Sequence, residues 1–292
     1  MNLRQIEFAV AVAEEQSFTR AAERCHTVQS ALSHQIAKLE DELGSKLFER
    51  TSRSVRLTVA GQAFLPVARQ MLSAQSRIRD EVAAASGTVR GTLTVGTIST
   101  FTHVDLVDVL GRFHERYPDV DIRFYQGMSE NLVVDVREER SDVAFLGLWP
   151  GERVEGVNKQ IIADEDLVAI IPLSHPLSRE SSINLLQLVG SPLVDFYANS
   201  GARRQTAEAF AAAGVKPRVN FEVSHIDLLE RIVRRGLAIG LVPRFDFDAC
   251  DKLAMVPVED GPVRRVYAVW GNDPTPAAVA FMGMVREALE GV

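Results

Sequence analysis

Four polar side chains in the stretch "TVQSALSHQIAKLE", residues 27 to 40, are of the types that read the edges of bases. Gln29, Ser30, Ser33 and His34 hydrogen-bond without great bulk, as contact with base edges in a major groove requires. Leu32, Ile36 and Leu39 step by 4 and 3, so a helix through the stretch turns them inward and leaves the polar four outside, near its start. That is where a recognition helix meets DNA. Upstream, Phe18, Ala21 and Ala22 include the small residues that let a preceding helix cross closely, which suits a helix-turn-helix. Spacing alone leaves an ordinary solvated helix equally open.

A second group lies at three strand ends: "IST" at 98 to 100, "YANSG" at 197 to 201 and "SH" at 224 to 225. Ser99, Thr100, Asn199, Ser200, Ser224 and His225 each follow a strand-like run and precede a helical one. In doubly wound sheets ligands bind beyond the carboxyl ends of strands, and free N–H groups at helix starts favour an anion. Singly, each residue reads as a helix cap or turn. At three corresponding strand ends they describe one cleft, and a carboxylate-bearing small molecule suits it. Phe101, Phe196 and Tyr197 would fit a partly apolar ligand or simply pack in the core. Arg203 and Arg204 stand within reach of an anion or on a solvated helix face.

The elements that must position these groups follow from periodicity. The first sixty residues have short helical periods, a break at Gly44 and no convincing strand. Basic residues recur at Arg50, Arg53 and Arg56. Phe64, Ala68, Met71, Gln75, Ile78, Val82 and Ala85 then step alternately by 4 and 3, a seam that wants a partner helix. Ser86, Gly87 and Thr88 end it as a short hinge. Beyond, strand-like runs at 93–98, 121–125, 143–148, 167–171, 193–197, 219–223, 238–242 and 265–270 alternate with amphipathic helices. That alternation predicts parallel sheets covered by helices, with a closing helix from Pro276 to Leu289.

Composition narrows the function classes. The 292 residues, 46% of them hydrophobic, suffice for about two domains with real cores. The net charge of −7 is uneven: residues 1 to 90 hold 12 basic and 10 acidic side chains, residues 91 to 292 hold 20 and 29. Because binding to phosphate follows local potential, a mildly basic front remains compatible with nucleic acid. No basic segment leads into a long apolar stretch near the start, and no apolar run approaches a bilayer span, so a cytoplasmic location without membrane contact is expected. Cys25 and Cys250 are far apart, and the six histidines are scattered. No nucleophile elbow, phosphate loop or clustered metal ligands occur, which speaks against an enzyme and gives no reason to expect a metal or cofactor. A stand-alone solute-binding protein would explain the cleft but not the helical unit fused before it.

Residues 1 to 61 resemble the DNA-binding domain of the LysR-type transcriptional regulators. The likeness rests on Phe8, "SFTRAA" at 17 to 22, "QSALSHQI" at 29 to 36, "LE" at 39 to 40, "LG" at 43 to 44, "LFER" at 47 to 50, Arg53, and "LT" at 57 to 58 with Gly61. Later, "IVRRGLAIGLVPR" at 232 to 244 resembles the family's effector-binding domain, so the likeness spans the chain. It implies a winged helix-turn-helix over 1–58, a dimerising linker helix and hinge over 59–88, and an effector-binding domain over 89–292. The last would hold two Rossmann-like lobes of the periplasmic-binding-protein kind, lobe I about 89–163 and 268–292, lobe II about 164–267. The fold class is thus α/β with an N-terminal helical head.

The same resemblance carries recognition of double-stranded DNA onto Gln29, Ser30, Ser33 and His34, supported by Thr27 and Lys38. It places Arg50, Arg53 and Arg56 near the wing, against phosphates or in a minor groove. It implies dimers joined through residues 59–85, tetramers built from them, a small-molecule effector and RNA polymerase as a further partner. Two positions depart from the family pattern. Val28 stands where a capping serine or threonine is common, leaving Thr27 to cap or the cap lost at roughly 1 kcal/mol. His34 stands where arginine is common, and its ring lacks the bidentate reach to guanine while adding a titratable group. A redox-responsive member of the family is the alternative, but its peroxide-sensing members use a cysteine pair in the effector domain, where this chain has Cys250 alone.

Overall fold

A computed structural model describes residues 1–50, 55–198, 200–244, 253–259 and 261–290, which form two compact units, Met1–Gly91 and Thr92–Val292. Arg53, Asn199 and Cys250 lie outside the described residues, as does the side chain of Arg50.

The first unit runs α1 (Leu3–Glu15), α2 (Phe18–Arg24), α3 (Gln29–Leu43), β1 (Phe48–Arg50), β2 (Val55–Leu57) and α4 (Val59–Ala85). Local chemistry sets the starts of three helices. Asn2 and Gln5 form a reciprocal capping box on α1, Ser17 accepts from the Arg20 N–H, and Thr58 accepts from the Gly61 N–H. The turn between α2 and α3 places His26 at φ 50°, and the Thr27 N–H donates to the Ala22 carbonyl at 2.9 Å. Phe8, Val12, Ala21, Leu32, Ile36, Leu39 and Leu47 form the core that the three short helices share.

Two expectations for this unit are corrected. Strands do occur: β1 and β2 pair antiparallel as a hairpin, Phe48 opposite Leu57 and Arg50 opposite Val55. At three residues each they are too short to show an alternation. The seam of α4 is also divided. Ala68 is 1% exposed and packs with Ile6 and Val10 of α1, where half-buried Phe64 joins it. The apolar start of the seam therefore completes the unit's own core, and only from Met71 onward, with Ile78 and Val82 exposed, is it open. Gly61 lets α4 begin so close to the hairpin: a β-carbon there would lie 2.2 Å from the Leu47 carbonyl oxygen.

The second unit runs β3 (Gly91–Thr97, starting at the boundary), α5 (Leu106–Arg116), β4 (Val120–Gln126), α6 (Ser129–Arg137), β5 (Val143–Leu148), β6 (Asn158–Pro172), β7 (Leu193–Phe196), α7 (Gly201–Ala212), β8 (Val219–Val223), α8 (Ile226–Arg234), β9 (Ile239–Pro243), β10 (Leu253–Pro257), β11 (Val263–Trp270) and α9 (Pro276–Glu290). The strand order is β4-β3-β5-β11-β6-β9-β7-β8, with β10 beside β6. Parallel pairs β3–β5, β7–β8 and β7–β9 belong to the expected alternation. The expectation of parallel sheets throughout is corrected by β11 and β6. β11 is antiparallel to both β5 and β6, and β6 is antiparallel to β9 and β10.

β6 is the long member. Asn158–Asp166 pairs with β11, and Val168–Pro172 pairs with β9 and β10, so a single strand serves both halves of the sheet. Its buried pattern is continuous only over 167–172, which is why its first half does not read as a strand in sequence. Separate clusters fill the halves, one around Leu132, Leu146 and Tyr267, others around Ile171, Phe210 and Leu241 and around Ile170, Leu229 and Val242.

Candidate functional site

In the first unit, Leu32, Ile36 and Leu39 are fully buried and fix the roll of α3. Gln29, Ser30, His34 and Lys38 are exposed, while Thr27 and Ser33 are half-buried. The helix thus presents a polar face at its start. Val28 is the N-cap and supplies no side-chain hydrogen bond, so the cap is lost and Thr27 does not replace it. First-turn amides keep a partial positive charge that suits a phosphate. Arg56 is exposed on β2, opposite Glu49.

Glu40 is a residue that sequence spacing did not single out for a role. It is 4% exposed near the end of α3, and its Oε1 accepts the backbone N–H groups of Leu47 at 2.9 Å and Phe48 at 3.3 Å. Lys46 Nζ lies 3.0 Å from its other oxygen. One buried carboxylate thereby ties the hairpin to the polar helix. Phe18 and Phe48 pack edge to face at 5.9 Å, tying the same hairpin to α2. Cys25 is buried behind this face, and burial pushes its thiol up, away from the reactive thiolate.

In the second unit, a cavity of about 300 Å³ opens where several elements begin or end. Ser99, Thr100, Tyr197, Ser200, Ser224 and His225 line it together. Phe101 does not; it packs against Phe145 at 4.7 Å and borders a neighbouring hollow. The starts of α6, α7 and α8 converge on the same cavity through Met128, Ser129, Gly201 and His225. Ser200 caps α7, accepting from the Arg203 N–H at 3.1 Å, whereas the N-caps of α6 and α8, Met128 and His225, make no side-chain cap bond. Two helix starts therefore leave amides uncapped beside the cavity.

The two arginines expected to reach an anion turn elsewhere. Arg203 faces Asp195 at 3.7 Å and Glu222 at 3.6 Å, and Arg204 faces Glu152 at 3.2 Å. The cation on the wall is Arg264 of β11, which is 4% exposed. Its Nη1 donates to the Thr100 hydroxyl at 2.6 Å and its Nη2 to the Thr100 carbonyl at 2.8 Å, while Nε is paired with Glu165. Glu165 also meets His103 Nε2 at 2.7 Å. Desolvation lowers the Arg264 pKa against the opposing pull of Glu165. Beneath the wall, burial raises Asp195 to about 7, although the Phe196 N–H and Arg203 draw it back down.

Residues 3–62 match the family described as "Bacterial regulatory helix-turn-helix protein, lysR family", and residues 86–290 match "LysR substrate binding domain". The chain belongs to the LysR family of transcriptional regulators. Among its LysR-family relatives, the transcriptional dual regulator GltC of Bacillus subtilis (strain 168) is 30% identical over 271 residues, covering 92% of this chain and 90% of that protein. The HTH-type transcriptional regulator BudR of Raoultella terrigena is 33% identical over 273 residues, covering 92% and 94%. Of solved structures, full-length CbnR complexed with its target DNA is similar with a TM-score of 0.66 at 26% identity, covering 99% of this chain and all of that one. A full-length OxyR from Pseudomonas aeruginosa shares the fold, with a TM-score of 0.75 at 24% identity over 99% and 95%. This LysR-family chain is thus a DNA-binding regulator of transcription whose larger unit is the family's ligand-binding domain. Among the described residues no helix is long and apolar enough to cross a membrane, and no group of three or more His, Cys, Asp or Glu side chains could hold a metal ion.

Proposed function

We propose that the regulator reads double-stranded operator DNA through Gln29, Ser30, Ser33 and His34 on α3, with Thr27, Lys38, Arg50, Arg53 and Arg56 holding phosphates. The proposed division of labour is a DNA head over 1–58, a linker over 59–88 and an effector domain over 89–292. Two copies pair through α4, whose exposed Met71, Ile78 and Val82 would otherwise leave apolar surface in water. A small carboxylate bound in the second unit sets the activity. The observation that carries the ligand reading is the meeting of three helix starts with Ser99, Ser200, Ser224 and His225 around one cavity. Hydroxyls and amides of this kind hold an anion without a dedicated cation.

Two measurements test the reading. Fluorescence anisotropy on DNA from upstream of the gene, against a shuffled sequence at several salt concentrations, should show a preference that a Ser33→Ala, His34→Ala protein loses while salt-sensitive background binding remains. Absence of any DNA binding at low salt would sink the DNA reading. Calorimetry across small organic acids should find a ligand whose binding Ser99→Ala with Ser224→Ala weakens. Thr100 is a poor choice for that test, because its hydroxyl is already committed to Arg264.

A further inference from the structure

Glu130 stands in the first turn of α6 and lines the cavity, and both of its carboxylate oxygens are buried with no hydrogen-bond partner among the described residues. Gly201, the first residue of α7, is what makes room for it: a β-carbon there would lie 2.5 Å from Glu130 Oε1. The cations nearest the cleft are engaged elsewhere, Arg264 with Glu165 and Thr100, Arg203 with Asp195 and Glu222, Arg204 with Glu152. The partial positive charge of two helix starts eases the carboxylate's position but leaves its lone pairs without donors. An ionised carboxylate withdrawn from water without donors is costly, and folded proteins rarely keep one unless a further group answers it. Glu130 lines the cavity, so a molecule bound there is in place to supply the missing donors.

We propose that the effector carries a protonated amine beside its carboxylate, and that Glu130 receives the amine. This rests on the reading that a small carboxylate binds in this cleft. The ligand's anion lies at the uncapped start of α8 with Ser99 and Ser224, and its ammonium donates to Glu130 on the start of α6. The chemical class is an α- or ω-amino acid. A dicarboxylate would bring a second anion against Glu130, which like-charge repulsion disfavours.

The test is calorimetry on the full-length protein with two matched series: butyrate, 2-aminobutyrate and 4-aminobutyrate; hexanoate, 2-aminohexanoate and 6-aminohexanoate. At least one amino acid should bind about tenfold or more tighter than its plain acid, the range of a charge-assisted hydrogen bond. Glu130→Gln should erase that preference without weakening the plain acid, and its melting temperature should equal or exceed that of the parent, since a buried carboxylate without donors has been removed. A preference that survives in Glu130→Gln, or a melting temperature that falls, overturns the inference. If plain acids bind through Ser99 and the amine adds nothing, the carboxylate reading stands and the role of Glu130 falls. If no member of either series binds, both fall.

Discussion

Arg264 stands directly opposite Glu165 in the register of β11 and β6, and its guanidinium reaches past that partner to hold both the hydroxyl and the carbonyl of Thr100. The pair sits just before β6 changes partners, from β11 to β9 and β10. A charge pair at such a joint holds two strands and one cavity wall in a single arrangement. Arg264→Ala should destabilise the second unit by about 3–5 kcal/mol, because Glu165 is left buried with His103 alone among the described residues to answer it. The double change Arg264→Met, Glu165→Gln should recover much of that loss. Urea unfolding of the three proteins measures both effects, and a single variant as stable as the parent would remove the pair's structural role.

The pH dependence of stability should carry a component from Asp195. Its folded value of about 7 lies above the ordinary 3.8, because burial disfavours the ionised form. The folded protein then binds this proton more tightly than the unfolded chain does. The contribution is full below 3.8 and is lost as pH rises toward about 7. Asp195→Asn keeps an acceptor for the Phe196 N–H, which reaches Oδ1 at 2.7 Å, and cannot ionise. Relative to the parent, the variant should gain stability steadily across that window. Denaturant titrations at four or five pH values would show it, and a difference that is flat with pH would contradict it.

The uncapped start of α3 offers a simple gain. Val28→Thr places a hydroxyl at the N-cap, where it can accept from a first-turn amide, and should stabilise the first unit by roughly 1 kcal/mol. Thermal unfolding of the full chain reads it. No change, or a loss, would mean that the Val28 backbone does not hold the hydroxyl in capping geometry.

Cys25 should be slow toward thiol reagents. It is 5% exposed and its thiol is pushed up by desolvation, so little thiolate forms at neutral pH. Mass spectrometry after brief treatment with iodoacetamide or dilute peroxide should find it unmodified until denaturant is added. Rapid labelling of the native protein would reopen a redox role for this residue.

The polar face of α3 was readable because its two signals reinforce each other: Leu32, Ile36 and Leu39 fix the buried side, and whatever lies opposite is displayed. The cleft was readable for a similar reason. Ser99, Ser200 and Ser224 fall where a strand run stops and a helical period begins, and strand ends gather along one edge of a sheet. Glu130 and Arg264 gave no such signal. A glutamate in a first helical turn is usually a solvated partner of the dipole, and the close approach of Gly201 to this one is a tertiary contact that spacing does not show. In "VRRVYAVW" the pleat sends one arginine in and the next out, and the sequence does not say which; Arg264 goes in, while Arg265 pairs at the surface with Asp164 at 2.6 Å. Phe64 and Ala68 misled for the opposite reason. A seam of steps 4 and 3 identifies an apolar stripe but not its occupant, and here α1 takes the first part.

The place of β11 sets an order for synthesis on the ribosome. The first unit is contained in the first 91 residues and can fold while the rest is still being made. The second cannot complete even its first half early: β5, made by residue 148, waits for Val266 to pair with Gly147, and α5 waits for α9 to bring Phe281 against Phe113. A chain stopped before residue 263 would carry a finished DNA head on a ligand domain with an open sheet edge, a template for pairing with other chains. Truncated products of this gene should therefore be recovered in aggregates rather than as shorter, active proteins.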